Sequence, residues 1–288
     1  MKCNIIGAGR VGKNIALSLV QKQIISSVSI CNRSMESAQQ ACQDLGFGQA
    51  SENIEELPAA EINWICCNDD AISNIVETLV DNPFLKPGTF VFHCSGVLNS
   101  QVLEPLKNHG CFIASFHPLK AFKSNYLDAF AFAQVDCVLE GDAKACNWLK
   151  DAFTLLDANL IPIAPESKVL YHAAACMASN YLITLAACSE ELFLKAGISP
   201  QKSRQMMVNL MQGNLNNLMQ NANIADSLTG PLARGDIKTI GLHLNAIKDA
   251  ESIQFYQAAA LKTLDLTQLP SGIKEEIILR LKDSCLNC

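Results

Sequence analysis

Over its first 163 residues the chain alternates between short apolar runs and longer stretches in which apolar residues return every three or four positions. The runs "CNIIGAG", "SSVSICN", "EINWICCN", "GTFVFHCSG", "CFIASFHP" and "FAQVDCVLEG" are strand-length and apolar at consecutive positions, which predicts strands buried on both faces. Residues 11–21 and 35–45 have the helical period and predict amphipathic helices between them. Strand and helix in alternation predict a parallel, doubly wound α/β sheet. "NLIPIAP", with its two prolines, predicts a last strand and a junction. Beyond Pro165 only the helical period continues, with predicted helices over 168–196, 200–220, 236–248, 251–265 and 272–283, broken at "AGISP", "SLTGPLARGD" and "LPSG". The expected organisation is an α/β domain over 1–163 followed by an all-helical domain over 164–288.

The first strand runs into "IIGAGRVG", where Gly7, Gly9 and Gly12 have the G-x-G-x-x-G spacing. Between a buried strand and an amphipathic helix, this pattern predicts the dinucleotide turn of a Rossmann sheet. Gly7 permits the tight turn, Gly9 lets a pyrophosphate reach the backbone, and Gly12 lets the helix pack on the strand. Ala8, Arg10 and Val11 complete the loop, whose free N–H groups at the helix start face the anion. The second strand ends in "CNRS", with Asn32, Arg33 and Ser34 where an NAD site usually has an acid for the ribose 2′-hydroxyl. A guanidinium pairs with a 2′-phosphate that a carboxylate would repel, so NADP is the expected cofactor. The alternative for Arg33 is a solvated residue at a helix start. Later strand ends belong to the same crevice: Asn68, Asp69 and Asp70, then Ser95 and Gly96, then His117 and Pro118. Asn68 has capping of the next helix as its alternative. His93 reads as a strand histidine with its hydrogen bonds met.

In "ESKVLYHAAACMASNYLITLAA", at ~100° per residue, Lys168 and His172 lie ~40° apart and Ser179 returns to within ~20° of His172, with Asn180 at the margin of that line. A cationic Lys or a near-neutral His there can hold a substrate carboxylate or move the proton that accompanies hydride transfer. The alternatives are an ordinary core helix and, for Lys168, a solvated first turn. A membrane span is disfavoured by His172, Ser179, Asn180 and Thr184. In "LTGPLARGD", Asp236 is a candidate N-cap, while Thr229 and Arg234 are candidates to reach a cleft between the domains.

The net charge of −6, with no block of Lys and Arg, argues against nucleic acid or an anionic membrane as partner. Thirteen scattered cysteines and a start, "MKCNIIGAGR", without a signal-peptide h-region lead to the expectation of a reduced, cytoplasmic protein. Cys66 and Cys67, adjacent in a strand, should face opposite sides of the sheet. The terminal "CLNC" is a C-x-x-C pair without a second pair beside it, and no metal is expected.

With "CNRS", "HCSG", "FHPLKAF", "YHAAACMASNYL" and "LTGPLARGD" in this order, the chain resembles the bacterial Rossmann-like oxidoreductases whose helical half is labelled domain of unknown function 2520. The resemblance implies kinship with pyrroline-5-carboxylate reductase, β-hydroxyacid dehydrogenases and 6-phosphogluconate dehydrogenase. These share an N-terminal Rossmann domain and a helical, often dimer-forming C-terminal domain, so a homodimer through the helices is implied. β-Hydroxyacid dehydrogenases carry Lys-x-x-x-Asn on the corresponding helix, whereas here Lys168 is followed at that spacing by His172. His117-Pro118 resembles a dipeptide of prephenate dehydrogenases. The expected protein is an NADP-dependent oxidoreductase acting on a small anionic metabolite between the domains, with Ser95, His117, Lys168, His172 and Asn180 around the reacting centre. The alternative is a non-catalytic NADP-binding or redox-sensing protein acting through its helical domain.

Overall fold

The computed structural model describes residues 1–123 and 126–283. Contacts divide the chain into two compact units, Met1–Cys176 and the residues from Met177 onward.

The first unit contains β1 (Lys2–Ile6), α1 (Arg10–Gln21), β2 (Ser27–Cys31), α2 (Met35–Leu45), β3 (Gln49–Ser51), β4 (Ile62–Ile65), α3 (Asp69–Val80), β5 (Phe90–His93), α4 (Glu104–Asn108), β6 (Phe112–Pro118), β7 (Asp136–Gly141), α5 (Ala143–Thr154) and β8 (Asn159–Pro162). It ends in the first turns of α6 (Lys168–Lys195). The strands form one sheet in the order β3-β2-β1-β4-β5-β6-β7-β8. Because the order reverses between β1 and β4, the carboxyl ends of these neighbours open onto the switch-point crevice of a doubly wound sheet.

Two details correct the sequence expectation. The sheet is mixed, since β7 runs antiparallel to β6 and β8 then runs parallel to β7. A parallel neighbour needs a crossover, usually a helix, and the described residues between β6 and β7 form none, so the chain turns back. The three-residue β3 has no apolar run to betray it; it exists because it pairs with β2 at Ser29, Ile30 and Cys31.

Side-chain alternation along each strand divides the core between the two faces. Ile5, Ile30, Trp64, Phe92, Phe116 and Phe153 belong to one cluster. Their chain neighbours Ile6, Cys31, Ile65 and Val91 belong to the other, with Ile72 and Val76 of α3. Aromatic rings concentrate on the first face, where Trp64 lies 4.7 Å from Phe92 and Phe116 lies 4.1 Å from Phe153. Burying each such ring contributes about 1.5–3 kcal/mol. Cys66 and Cys67 follow the end of β4 instead of lying within a strand, yet Cys66 packs at the first cluster and Cys67 at the second, on opposite faces.

From Met177 the described residues are mainly helical, with the remainder of α6, α7 (Pro200–Gln220), α8 (Pro231–Arg234), α9 (Ile237–Ala246), α10 (Ala250–Thr263) and α11 (Ser271–Asp283). The starts follow local chemistry. Pro200 opens α7, and Asp249 caps α10 by accepting from the Ser252 N–H. Asp236 caps α9 as expected, accepting from the Thr239 N–H at 3.0 Å and its hydroxyl at 2.6 Å. Ile240, Leu244, Ile253, Ala260, Leu264, Ile277 and Leu281 form the core of this unit. By length and composition alone, the helix over Pro165–Lys195 is long and apolar enough to cross a membrane. Its Leu170, Met177, Tyr181 and Ile183 side chains are exposed.

Candidate active site

The glycine turn follows β1. Gly7 has φ +85°, and a Cβ there would lie 2.8 Å from the Cys67 nitrogen, so both conformation and space require glycine. A Cβ at Gly12 would meet the Gly7 carbonyl oxygen and the Ile5 Cγ2, each at 3.0 Å, so its absence lets α1 close onto β1 and β4. Gly9 is different. Its φ is −80° and the nearest atom to an added Cβ is 4.0 Å away. The room above Gly9 is therefore left by the protein, as close approach of a pyrophosphate requires. The first backbone bond into α1 from outside it is Lys13 N–H to the Gly9 carbonyl at 3.1 Å, which leaves the preceding N–H groups of Arg10, Val11 and Gly12 as the helix's starting donors.

Asn32 ties this turn to the end of β2. Its Oδ1 accepts from the Ala8 N–H at 2.7 Å, while its Nδ2 donates to the Ser37 carbonyl and hydroxyl, both at 3.0 Å. Ser34 caps α2, its hydroxyl oxygen accepting from the Ser37 N–H. Arg33 between them is exposed. Asn68, also exposed, stands at the N-cap position of α3 with its side chain capping nothing, and Asp69 opens the first turn. These features fit a dinucleotide phosphate held at the α1 start.

The second group of expected residues meets where β5 and β6 end. Lys168, 1% exposed, donates from Nζ to the Ser95 carbonyl and the Ser115 hydroxyl, both at 2.8 Å. Burial pulls its pKa down to about 8, against the raising influence of Glu140. The Glu140 carboxylate is itself engaged, accepting from the Ser100 N–H and hydroxyl at 2.7 Å. The Ser95 hydroxyl oxygen accepts from the Val97 and Leu98 N–H groups, so this side chain shapes the loop after β5. His93 anchors the same loop: its Nδ1 accepts from the Ser95 N–H, leaving Nε2 to donate to the Asn99 carbonyl at 3.2 Å. Burial, then the Lys168 charge, pulls its pKa down to about 3, so His93 is a neutral strand histidine with both nitrogens engaged.

Gly96 is the wall against which two imidazoles close. A Cβ there would collide with His172 Nδ1 and lie 3.0 Å from His117 Nε2. The two rings meet edge to face with centroids 5.7 Å apart. The His117 Nδ1 lies 2.7 Å from the Tyr171 hydroxyl. Burial, then the charges of Lys168 and His172, pulls the His117 pKa down to about 4. His172 Nε2 lies 3.6 Å from the Cys176 thiol, and its buried Nδ1 has no hydrogen-bond partner among the described residues.

Ser95, Gly96, His117, Lys168 and His172 thus come together within the first unit. Asn180, two turns beyond His172, is exposed and lies past the boundary of that unit, as does Ser179. Thr229 and Arg234 are exposed in the second unit. Three participants escape the sequence reading: Tyr171, Ser115 and Glu140. Only Tyr171 carries a signal, since it stands one helical turn after Lys168 and beside His172. Among the described residues no group of three or more His, Cys, Asp or Glu side chains is arranged to hold a metal ion. The "CLNC" pair lies outside the described residues.

Comparison with known proteins bears on the fold. Residues 1–118 match the Rossmann-like domain family, and residues 135–263 match the family described as domain of unknown function (DUF2520). Together the two matches take in most of the chain, each over less than half of it. No curated protein matches the sequence. Among solved structures, a Bacteroides fragilis protein described as an NADP oxidoreductase is similar with TM-score 0.76 and 20% identity, over 92% of this chain and 98% of that one. Plasmodium falciparum pyrroline carboxylate reductase with NADP bound is similar with TM-score 0.59 and 13% identity, over 98% of each chain. Prephenate dehydrogenase from Aquifex aeolicus, in complex with hydroxyphenyl propionate and NAD+, is similar with TM-score 0.53 and 14% identity, over 92% of this chain and 98% of that one. These likenesses show that the chain has the fold of structures described as an NADP oxidoreductase, a reductase and a dehydrogenase.

Proposed function

We propose that the protein is an NADP-dependent oxidoreductase that moves a hydride to or from a small anionic metabolite. The observation that carries this reading is the presence, in one unit, of a glycine turn with open room above Gly9 and a Lys–His–His cluster at the ends of neighbouring strands. When bound, the dinucleotide supplies or accepts the hydride. The α1 start receives its pyrophosphate, and the exposed Arg33 favours a 2′-phosphate. Lys168 is enclosed, so it acts by holding Ser95 and Ser115 in place and by its positive field, which favours a carboxylate or a developing alkoxide. His117 and His172 are the groups with ring nitrogens left to meet the substrate. The screen that tests this follows NADPH absorbance with small keto acids and cyclic imines, and tight NADPH binding without oxidation of any of them would favour the non-catalytic alternative. Arg33→Asp is expected to weaken NADPH at least tenfold more than NADH; equal losses would remove the 2′-phosphate role.

Self-association through the helical half, in a reducing cytoplasmic compartment, completes the proposal. It is supported by the exposed apolar side chains of α6 and by the scattered, odd-numbered cysteines of the sequence. Sedimentation in detergent-free buffer is expected to give a dimer; recovery only with membranes would point to the other use of an apolar helix of this length.

A further inference from the structure

Tyr171 has a side chain that none of the roles above employs. Its hydroxyl lies 2.7 Å from His117 Nδ1, with the rings edge to face at 5.8 Å. Two arrangements fit that distance: the phenol donates to a bare Nδ1, or an Nδ1–H donates to the phenol oxygen. Phenol, with a pKa near ~10, is a much stronger acid than a neutral imidazole N–H, and the bare ring nitrogen is the better acceptor. The O–H···N arrangement is therefore favoured. Burial works in the same direction, pushing the Tyr171 pKa up and the His117 pKa down, so that both partners stay neutral near pH 7.

We infer that Tyr171 is a positioning residue that sets the tautomer of His117: its hydroxyl donates to Nδ1 and leaves the ring proton on Nε2, the nitrogen beside Gly96 and His172. His117 then offers a neutral N–H donor, ready to meet an acceptor atom. Resting on the oxidoreductase reading, this selects the class of substrate. A carbonyl oxygen accepts from Nε2–H, and the alkoxide formed when a hydride adds to the carbonyl carbon accepts more strongly. A protonated imine has only a donor and a positive charge to present, and the buried Lys168 ammonium repels it. Among the described residues the one buried carboxylate, Glu140, is committed to Ser100. The site is thus built for the carbonyl of a keto or hydroxy acid rather than for a protonated imine or an ammonium.

The deciding measurement is 15N NMR of the imidazoles in the full chain, with the His117 signals assigned by their loss in His117→Gln. The expected result is a pyridine-like Nδ1 and a protonated Nε2 at pH 7, with Tyr171→Phe moving the Nδ1 resonance as it loses its donor. A protonated Nδ1 in the unmodified protein would overturn the inference, and so would 15N resonances unmoved by Tyr171→Phe. In turnover, Tyr171→Phe should lower kcat roughly tenfold with the KM for NADPH unchanged. Oxidation of NADPH by cyclic imines but not by keto acids would also sink the donor role. Failure of every substrate, with the tautomer as expected, would count against the oxidoreductase reading and leave the Tyr171 assignment standing.

Discussion

A lysine in the first turn of a helix is ordinarily solvated, and the sequence leaves Lys168 open between that state and a part in the site. Its ammonium is instead enclosed, with the Ser95 carbonyl and Ser115 hydroxyl as acceptors. The partners could not be read from the sequence because they lie 73 and 53 residues away and converge only through the strand order. His117 and His172 were legible, as polar groups at a strand end and on an alanine-rich helix. Tyr171 carries only its place one turn after Lys168, and a tyrosine among apolar helical residues otherwise reads as packing. Gly96 gives the sharpest single-residue prediction. A methyl there would collide with His172 Nδ1 and crowd His117 Nε2, so Gly96→Ala should destabilise the fold by about 1–3 kcal/mol. It should also lower NADPH oxidation at least tenfold. Urea denaturation and steady-state kinetics check the two effects separately.

At the scale of elements, strands and helices with a strong period appear where their sequence puts them. The span 200–220 begins with proline at a helix start and coincides with α7. What escapes is structure imposed from outside the element. Three residues of β3 are a strand only because β2 is beside them, and β7 reverses where the described residues before it form no crossover helix. The β1–α1 turn offers a paired test of packing against binding. Gly9→Ala meets nothing closer than 4.0 Å and should change stability by less than about 0.5 kcal/mol while weakening NADPH at least tenfold. Gly12→Ala pushes on Gly7, Ile5 and Cys66 and should cost about 1–3 kcal/mol before any ligand is added. Melting curves and NADPH titrations of both variants check the contrast. Similar losses of stability in the two would remove the argument from open room above Gly9.

For the whole molecule, buried titratable groups shape stability against pH from both sides. His117 and His93 bind protons less readily folded, near about 4 and about 3, than at the unfolded value near ~6.5. The unfolded chain therefore takes up protons first, and stability falls as pH drops from 6.5, by about 1.4 kcal/mol per pH unit for each histidine. On the alkaline side Lys168, at about 8 folded, acts in the stabilising direction as pH rises toward its unfolded value near ~10.4. Against it stand Cys31, Cys67, Cys111 and Cys146, pushed up to about 11 by burial, and Cys137, pushed up to about 12. Unfolding releases their protons above pH ~8.5, and five thiols outweigh one ammonium. Thermal melts under reducing conditions should therefore peak between about pH 7 and 8 and decline both below 6.5 and above 9. His117→Gln is expected to flatten the acid limb. The enclosed Lys168 also bears on how such a protein can be recombined. About two and a half turns of α6 belong to the first unit, and the ammonium they carry closes the ends of β5 and β6. A gene fusion joined just after β8 would separate that ammonium from its acceptors, whereas one joined after Cys176 would keep them together. The portion inherited as one piece is the sheet together with the beginning of a helix.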